Sequence, residues 1–351
     1  MDLYYQRKGV KSDKKLEKIM TDTWHLLKTA KELGIKYEEI PYTGIFRLEY
    51  RGKVEFLYHR TPVQTTSTAS RCCDNKMVTK NLLERAGLAV PSGYMLKEQD
   101  GQKYQLEVFD KVKKPLVVKA IDGSEALHVS LNITKTADYL KALKSSFSYD
   151  RIDNSRALVE EMFVGDEFRI LATREKVLSI IYRIEANVVG DGEHTVQELI
   201  DIKNMDEKRG THEENKPLFN IEIDQELVDF LAEQGLTLDE KIDKDKQIFL
   251  RPNSEFNISQ GGDTIDVTDQ VHPSVKNIAM CAVKAIPGLS WTGIDLLSTD
   301  IYQEQTANNY RILELNVSPR IIWQEFPYQG PRRYIAYDFL KLMFPGLPEK
   351  K

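Results

Sequence analysis

The sequence predicts a mixed α/β (α+β) fold on three observations. Stretches with apolar residues three and four positions apart, typical of helices, alternate with short apolar runs typical of strands. Hydrophobic residues make up 41% and charged residues 29% of the 351 residues, a composition typical of a globular protein with a large core. Two of the apolar runs contain acidic residues, which indicates a functional site on the sheet.

The N-terminal part predicts a small α/β unit over residues 1–95. Its predicted elements are a helix over 12–35 that ends at Gly34, strands over 35–40 and 46–60 with an Arg-Gly turn inside the second, and a helix over 75–91 that stops at Gly87 and Pro91. Between them, the stretch 65–76 is small and polar, and we expect it to lead into the second helix.

The remaining chain continues the alternation of strands and helices. The predicted order is a strand over 113–124, a helix near 134–147, strands over 157–184 with turns at Gly165 and Arg174, a helix with Thr195 as its N-cap, a mobile polar loop over 204–220, a helix near 224–235, a strand over 247–252, a loop over 253–269, a helix over 273–286, and strands over 291–298 and 311–317.

Composition excludes several classes of protein. The net charge is −5 with a pI of about 5.8, and Lys and Arg are scattered, so no nucleic-acid partner is expected. No run approaches the ~18 apolar residues of a membrane span, and the N-terminus lacks the apolar segment of a signal peptide. The three cysteines fit neither a disulfide framework nor a zinc site. We therefore expect a reduced, cytoplasmic protein without a membrane partner.

The two acid-bearing strands predict a metal site. Asp295 interrupts the apolar strand WTGIDLLS, and Glu314 and Asn316 interrupt the strand RILELN. Residues i and i+2 of a strand face the same side, so a hairpin of these two strands would bring the three side chains together. A set of oxygen donors without Cys or His suits Mg²⁺ or Mn²⁺. The alternative is a buried salt bridge from Glu314 to Arg183 or Arg320.

Cationic side chains occur where a phosphate or a carboxylate could be held. Lys119 ends the strand PLVVKA, and Lys76 and Lys80 lie four apart on one helical face. Any single Lys is more often an exposed surface residue. Four arginines lie beside loops or turns, where guanidinium groups bind phosphates and carboxylates: Arg169, Arg183, Arg251 and Arg320.

The segment LVEEMFVGDEFRIL has the form of a hinge strand between two lobes. Backbone groups of Glu161, Met162 and Phe163 could bind an adenine edge, and Glu167 could bind ribose hydroxyls. The alternative is a plain strand pair with outward-facing acids.

Taken in order, these motifs and the segments RIEANVVGDGEHTVQELI, ISQGGDTIDVTDQVHP and ILELNVSP resemble the ATP-grasp ligases. The resemblance is to the ATP-grasp part of cyanophycin synthetase and of the bacterial bifunctional glutathione-synthesising enzyme, and it covers residues from about 25 to 345. It implies an ATP-grasp fold in which two α+β lobes clamp ATP: a small lobe over 96–163 and a large lobe with the metal site over 164–351.

The resemblance also implies an activity and a set of site residues. The activity is ATP-dependent carboxylate–amine ligation through an acylphosphate, with ATP, Mg²⁺ (or Mn²⁺), and small-molecule carboxylate and amine substrates. The implied residues are Lys80, Lys119, Glu161, Met162, Phe163 and Glu167 for the nucleotide, Asp295, Glu314 and Asn316 for metal, Arg251 and Arg183 for catalysis, and Arg169, Asn257, Ser259, Gly261 and Arg320 for substrate. We also expect a homodimer, the commonest oligomer.

One segment departs from the ATP-grasp pattern. The Gly-rich loop that usually follows the second lysine reads IDGSEALHVSL here, with Gly123 kept and Glu125 in the flexible part. Fewer glycines mean less backbone freedom and fewer N–H groups for a phosphate. The alternative function is therefore a degenerate ATP-grasp protein that binds nucleotide as a regulatory or scaffold subunit.

Overall fold

The structure is a computed structural model that describes residues 21–41, 43–62, 64–121, 129–149, 156–211, 214, 216–252 and 258–350. Its helices are α1 (Thr21–Glu32), α2 (Ser67–Asp74), α3 (Lys76–Arg85), α4 (Gln102–Lys111), α5 (Thr136–Tyr149), α6 (Val196–Asn204), α7 (Gln225–Glu233), α8 (Pro273–Ala285), α9 (Ile322–Glu325) and α10 (Ile335–Met343).

The strands form three larger sheets and two short pairs. They are β1 (Lys36–Ile40), β2 (Ile45–Tyr50), β3 (Lys53–Tyr58), β4 (Gly93–Lys97), β5 (Leu116–Ala120), β6 (Val129–Ile133), β7 (Arg156–Glu161), β8 (Asp166–Thr173), β9 (Val177–Ile184), β10 (Asn187–Val189), β11 (Arg209–Gly210), β12 (Leu218–Phe219), β13 (Gln247–Phe249), β14 (Asp263–Asp266), β15 (Trp291–Ser298) and β16 (Tyr310–Asn316).

The largest sheet has five antiparallel strands in the order β14-β9-β8-β15-β16. Ile170 and Ile294 on one of its faces pack in a core with Ala69 of α2, Leu83 of α3 and Val275 of α8. Because strand side chains alternate between faces, the opposite face is left for the acidic residues of β15 and β16. The apolar alternation therefore fixes which side of the sheet carries the candidate site.

A second sheet has four antiparallel strands in the order β4-β7-β5-β6. Leu116 of β5 and Val159 of β7 pack with Phe109 of α4 and Tyr139 of α5. This packing leaves the other face of β5 and β7 to present Lys119 and Glu160.

The third sheet, β1-β2-β3, is a meander whose second turn is Arg51-Gly52. Both turn residues have positive φ, 49° and 81°, as the two-residue turn that matches strand twist requires. The core of this sheet includes Leu48 with Leu26 of α1 and Phe339 of α10.

The division of the chain into an N-terminal unit, a small lobe and a large lobe, with boundaries after residues 95 and 163, remains a prediction.

Most of the predicted elements are confirmed, including the Arg-Gly turn, the Thr195 N-cap and the hairpin of the two acid-bearing strands. The predicted helix over 12–35 is confirmed from Thr21 to Glu32, and its first residues lie outside the described part of the chain. The helix α4 and the strand β4 were not predicted.

Three stretches for which the sequence predicts no helix or strand each contain one. The polar stretch 65–76 contains α2, because Thr66 accepts a hydrogen bond from the Ala69 N–H and Ala69 packs into the core. The predicted loops over 204–220 and 253–269 contain the pair β11–β12 and the strand β14, which add to the fold through backbone hydrogen bonds rather than through an apolar pattern.

Across the helices that the structure describes, none has the length and apolar character needed to cross a membrane.

Candidate functional site

The acidic residues of β15 and β16 converge as the sequence predicts. In the register of the hairpin Asp295 lies opposite Glu314, and Gly293 lies opposite Asn316. The Asn316 amide nitrogen lies 2.9 Å from Glu314 Oε1 and 3.2 Å from Asp295 Oδ2. The three oxygen-bearing side chains therefore form one cluster on the face of the sheet opposite its apolar core.

Gly293 keeps room beside this cluster. A Cβ at this position would lie 2.7 Å from the Pro319 side chain and 3.2 Å from Arg169 Nη1. Since real Cβ atoms do not approach within 3.0 Å of another heavy atom, a larger residue would displace Pro319, and Arg169 beside Asp295 would also have to shift slightly.

Cationic side chains surround the acids. Arg169, opposite Asp295 across β8 and β15, places its Nε 2.5 Å from Asp295 Oδ1. Arg183 on β9 pairs with Glu167 and lies 3.6 Å from the same Asp295 oxygen. Lys76 Nζ lies 3.8 Å from Glu314 Oε2. The alternative of a Glu314 pair with Arg183 or Arg320 is not what these contacts show, because Lys76 is the cation at Glu314.

The donor set fits a divalent cation. Asp295 Oδ1 is buried and lies 2.5 Å from Arg169 Nε, but no N–H of the described residues is oriented to form a hydrogen bond with it, so this oxygen can still accept a further partner. Burial raises the pKa of Asp295 to about 7, against the opposing charges of Arg169 and Arg183. Burial also acts to raise the pKa of Glu314, but its hydrogen bond with Asp295 and the charge of Lys76 bring it down to about 2.

The set also has the chemistry of a Mg²⁺ or Mn²⁺ site. Both ions prefer carboxylate and amide oxygens and keep part of their shell for water or phosphate. The described chain contains no group of three or more His, Cys, Asp and Glu side chains placed to hold a metal. Two carboxylates and one amide are therefore a partial shell, which suits an ion that arrives with further ligands.

A second cluster is centred on Glu160 of β7. Lys80 Nζ of α3 lies 2.5 Å from Glu160 Oε1, and Lys119 Nζ of β5 lies 2.7 Å from Glu160 Oε2. All three side chains are at least 88% buried. Although burial acts to raise the pKa of Glu160, the two lysines hold it below its ordinary value. The cluster brings together the two lysines that were predicted to bind nucleotide.

The predicted hinge lies between the two larger sheets. The Met162 N–H donates to the Pro115 carbonyl at 2.9 Å, so it is already used within the protein. Glu161 accepts a hydrogen bond from the Ser92 N–H and lies 3.4 Å from Arg311 of β16. The Arg311 guanidinium lies 4.7 Å from the centre of the Phe163 ring.

Two other predicted residues, Arg251 and Arg320, have partners outside the cluster of Asp295, Glu314 and Asn316. Arg251 makes a two-pronged pair with Asp224, with both distances 2.7 Å, and also contacts Glu226. Arg320 contacts Asp22 at 3.4 Å and covers the Trp323 ring.

Of the remaining predicted substrate residues, Ser259 lies in a turn, and Gly261 has φ +95° and accepts a hydrogen bond from Arg209. Asn257 lies outside the described residues.

Sequence reasoning missed Glu160 and Arg311. In LVEEMF the two adjacent acids look alike, and only the register of β7 with β5 shows that Glu160 shares a face with Lys119. The sequence did offer one indication of this pair, because Lys119 and Glu160 each interrupt an apolar strand, and the two strands could be neighbours. Arg311 shows no local pattern that points to the site, because its acidic partner, Glu161, lies 150 residues away.

The structure has two antiparallel sheets, one with Lys119 and Glu160 on its open face and the other with the carboxylate–amide cluster, and Lys80 of α3 joins the first of these. This architecture defines an ATP-grasp fold. Within this class, the chain is similar to proteins of two kinds. It is 34% identical over 293 residues to the glutathione biosynthesis bifunctional protein GshAB of Clostridium perfringens, covering 83% of this chain and 37% of that protein. It is 34% identical over 276 residues to the cyanophycin synthetase of Crocosphaera subtropica, covering 78% of this chain and 30% of that protein.

A solved structure agrees with this assignment. The bifunctional glutathione synthetase of Pasteurella multocida superposes with a TM-score of 0.77 at 30% identity, over 95% of this chain and 45% of that one. The chain thus spans less than half the length of these relatives. No family model matches the chain.

Proposed function

We propose that this protein is an ATP-dependent carboxylate–amine ligase of the ATP-grasp class. One observation carries the proposal: a pair of buried lysines on Glu160 and a carboxylate–amide cluster of metal-binding type are both reached from one helix, α3, through Lys80 and Lys76. Cations for phosphates beside ligands for a divalent ion are the parts that phosphoryl transfer needs. The names of the relatives, glutathione biosynthesis protein and cyanophycin synthetase, agree with amide synthesis.

The proposed reaction has two steps. A carboxylate oxygen of the first substrate attacks the terminal phosphorus of ATP, the bond to ADP breaks, and an acylphosphate forms. The amine of the second substrate then attacks the acyl carbon, the bond to phosphate breaks, and the amine loses a proton as the amide forms.

The protein groups have distinct proposed roles. Lys80 and Lys119 hold phosphate oxygens as point charges, and Glu160 positions both lysines. Asp295, Glu314 and Asn316 would hold Mg²⁺ or Mn²⁺, which when bound would offset charge on the phosphates. Arg183 lies beside Asp295 and is placed to stabilise charge on the transferring group. The proposed catalytic role of Arg251 has less support, because its guanidinium group already donates two hydrogen bonds to Asp224.

The remaining roles stay as proposals. Glu161, Met162 and Phe163 hold the base, and Glu167 holds the ribose. Arg169, Arg320, Ser259, Gly261 and Asn257 contribute to the substrate side. A cytoplasmic location and a homodimer also remain predictions.

The test is phosphate release from ATP with Mg²⁺, screened over single amino acids and short peptides as carboxylates against a set of amines. We expect release that requires one acid and one amine, with a product whose mass equals the two joined by an amide. ATP binding without release for any pair would overturn the ligase and favour the nucleotide-binding subunit that the loop over 121–131 suggests.

A further inference from the structure

The loop that leaves the metal-site strand β16, residues 317–321, is held by an arginine from the N-terminal part of the chain. We call this segment the exit loop. The Arg60 N–H donates to Ser318 Oγ at 3.2 Å, and Arg60 Nη2 donates to the Ser318 carbonyl at 3.0 Å. Arg60 Nε donates to the Pro319 carbonyl, also at 3.0 Å. One guanidinium group therefore fixes two successive carbonyls of the exit loop.

Asp22, at the start of α1, holds the far end of the exit loop. Its Oδ1 accepts hydrogen bonds from the N–H groups of Ile321 and Ile322 at 2.8 and 3.0 Å. Its Oδ2 lies 3.4 Å from Arg320 and 3.9 Å from Arg60 Nη1. Because Asp22 is fully buried, these N–H groups receive from it the partner that water gives an ordinary surface loop.

The exit loop is in contact with the metal-site strands. Pro319 packs over Gly293 of β15, where an added Cβ would lie 2.7 Å from its ring. Gly293 lies opposite Asn316, the last residue of β16, and the Asn316 side chain contacts both Asp295 and Glu314. A shift of the exit loop would therefore move the end of β16 and the amide of the proposed metal site.

Arg60 is also referenced to the same sheet. Its own carbonyl accepts a hydrogen bond from the indole Nε1 of Trp291, the first residue of β15, at 3.1 Å. Arg60 thus spans the start of β15 and the exit from β16, the two strands that carry the acids. The distance between these two points is set by one side chain that belongs to neither strand.

The burial of Arg60 carries an energetic cost. Its side chain is 9% exposed, and its Nη1 is buried without a hydrogen-bond partner among the described residues. Burial lowers the pKa of Arg60; Asp22 opposes this shift, and the charge of Arg320 adds to it. An apolar side chain would fill the same space without this cost. What the guanidinium adds is a planar fork that can hold two carbonyls at once.

We propose that Arg60, supported by Asp22, is a positioning residue of the proposed metal site: it fixes the exit loop so that Asn316 keeps its place beside Asp295 and Glu314 when a metal–nucleotide complex binds. Residues that hold metal ligands in place commonly affect metal affinity without touching the metal. The N-terminal part of the chain is then a working part of the site. The inference rests on the proposed function, since it takes Asn316 as a metal ligand.

The test compares three variants with the wild-type protein. Arg60→Ala removes the guanidinium group, and Asp22→Asn keeps an oxygen for the two N–H groups but loses the charge. Arg174→Ala is the matched control, because Arg174 also donates to a backbone carbonyl, that of Leu289, from the turn between β8 and β9. Three dissociation constants are measured: Mn²⁺ alone by electron paramagnetic resonance, and ADP by calorimetry with a chelator and with saturating Mn²⁺.

The expected loss is confined to the measurements that contain metal. Arg60→Ala should bind Mn²⁺ alone, and ADP with Mn²⁺, about tenfold more weakly, whereas its affinity for ADP with the chelator should stay within about twofold of wild type. Asp22→Asn should show the same pattern with about a threefold loss, and Arg174→Ala should match wild type. Ethylguanidine, which replaces the missing part of the side chain, should restore Mn²⁺ binding to Arg60→Ala, and propylamine should not.

Every other outcome counts against the inference. A merely structural role would lower the stability of Arg60→Ala in urea and weaken all three affinities alike, or none, without rescue by ethylguanidine. If Arg60→Ala does not fold, Asp22→Asn decides, and an unchanged affinity for Mn²⁺ overturns the role. If wild type binds no ADP with or without Mn²⁺, the proposed function fails as well. If wild type binds both and only the variant pattern is missing, the proposed function stands.

Discussion

The two clusters of the candidate site differ in the chemical groups that they offer. Around Glu160, two buried lysines contact one carboxylate. Around Asp295, two carboxylates and the Asn316 amide lie together, with Arg169 in contact with Asp295. Ammonium groups suit phosphate oxygens, whereas carboxylate and amide oxygens suit a divalent cation. We therefore expect the lysine cluster to hold the nucleotide phosphates and the carboxylate cluster to hold the metal.

The largest effect on activity is expected from a substitution in the carboxylate cluster. Asp295→Asn should lower the rate of phosphate release by at least about 10³-fold, because an uncharged amide replaces the central proposed metal ligand. Its affinity for ADP in the presence of a chelator should match wild type, since the lysine cluster is intact. Glu304→Gln, an exposed acid on the turn after β15, is the control. Unchanged turnover in Asp295→Asn would exclude Asp295 as a metal ligand.

The next largest effect, on stability, is expected from a substitution in the lysine cluster. Glu160→Ala should lower the free energy of unfolding by about 3 kcal/mol, because two buried ammonium groups lose their shared partner. Urea unfolding measures it. The neighbouring Glu161→Ala should cost no more than about 1 kcal/mol, since that side chain is 18% exposed and its ion pair is long. Equal losses for the two variants would contradict the central position of Glu160.

The same cluster gives a pH dependence. The pKa of Glu160 lies below its ordinary value of 4.5, so its ionised form contributes stability fully above pH 4.5. That contribution is lost as the pH falls through the lower pKa of the folded state. The difference in unfolding free energy between wild type and Glu160→Gln should therefore shrink below pH 4.5.

The smallest effect lies outside both clusters and sharpens the comparison. Thr195 caps α6: its hydroxyl accepts from the Glu198 N–H, and the Glu198 carboxylate accepts from the Thr195 N–H. Thr195→Ala should cost about 1 kcal/mol of stability in urea unfolding. It should leave ADP affinity unchanged with and without Mn²⁺. A change in either affinity would show that α6 is coupled to the site.

The parts of this protein that the sequence predicts well are those with a local pattern. Asp295, Glu314 and Asn316 lie in two short apolar strands. Because side chains alternate between the two faces of a strand, the sequence alone is enough to place the three on one face of a hairpin. Glu160 could not be distinguished from Glu161, because alternation shows only that the two face opposite sides. The pairing with β5 is needed to show which of them faces Lys119. The strand β14 and the pair β11–β12 lack an apolar pattern, since backbone pairing alone defines them.

The charge partners were the least predictable part. Arg251 lies beside a loop, as many phosphate-binding arginines do, yet it is paired with Asp224, the N-cap of α7, and with Glu226 in the first turn of that helix. Such a pair depends on tertiary distances that no local pattern contains. Lys76 likewise reaches an acid 238 positions away, and its spacing from Lys80 indicates only that the two share a face.

The place of α3 has a kinetic consequence. Leu83 anchors this helix in the core of the five-stranded sheet, while Lys80 reaches across to Glu160 of the four-stranded sheet. Any rotation that separates the two sheets must therefore break a buried ion pair. If phosphate binds Lys80 in the proposed reaction, it would take this lysine from Glu160 and remove the link. The proposed product would then lower the barrier to its own departure.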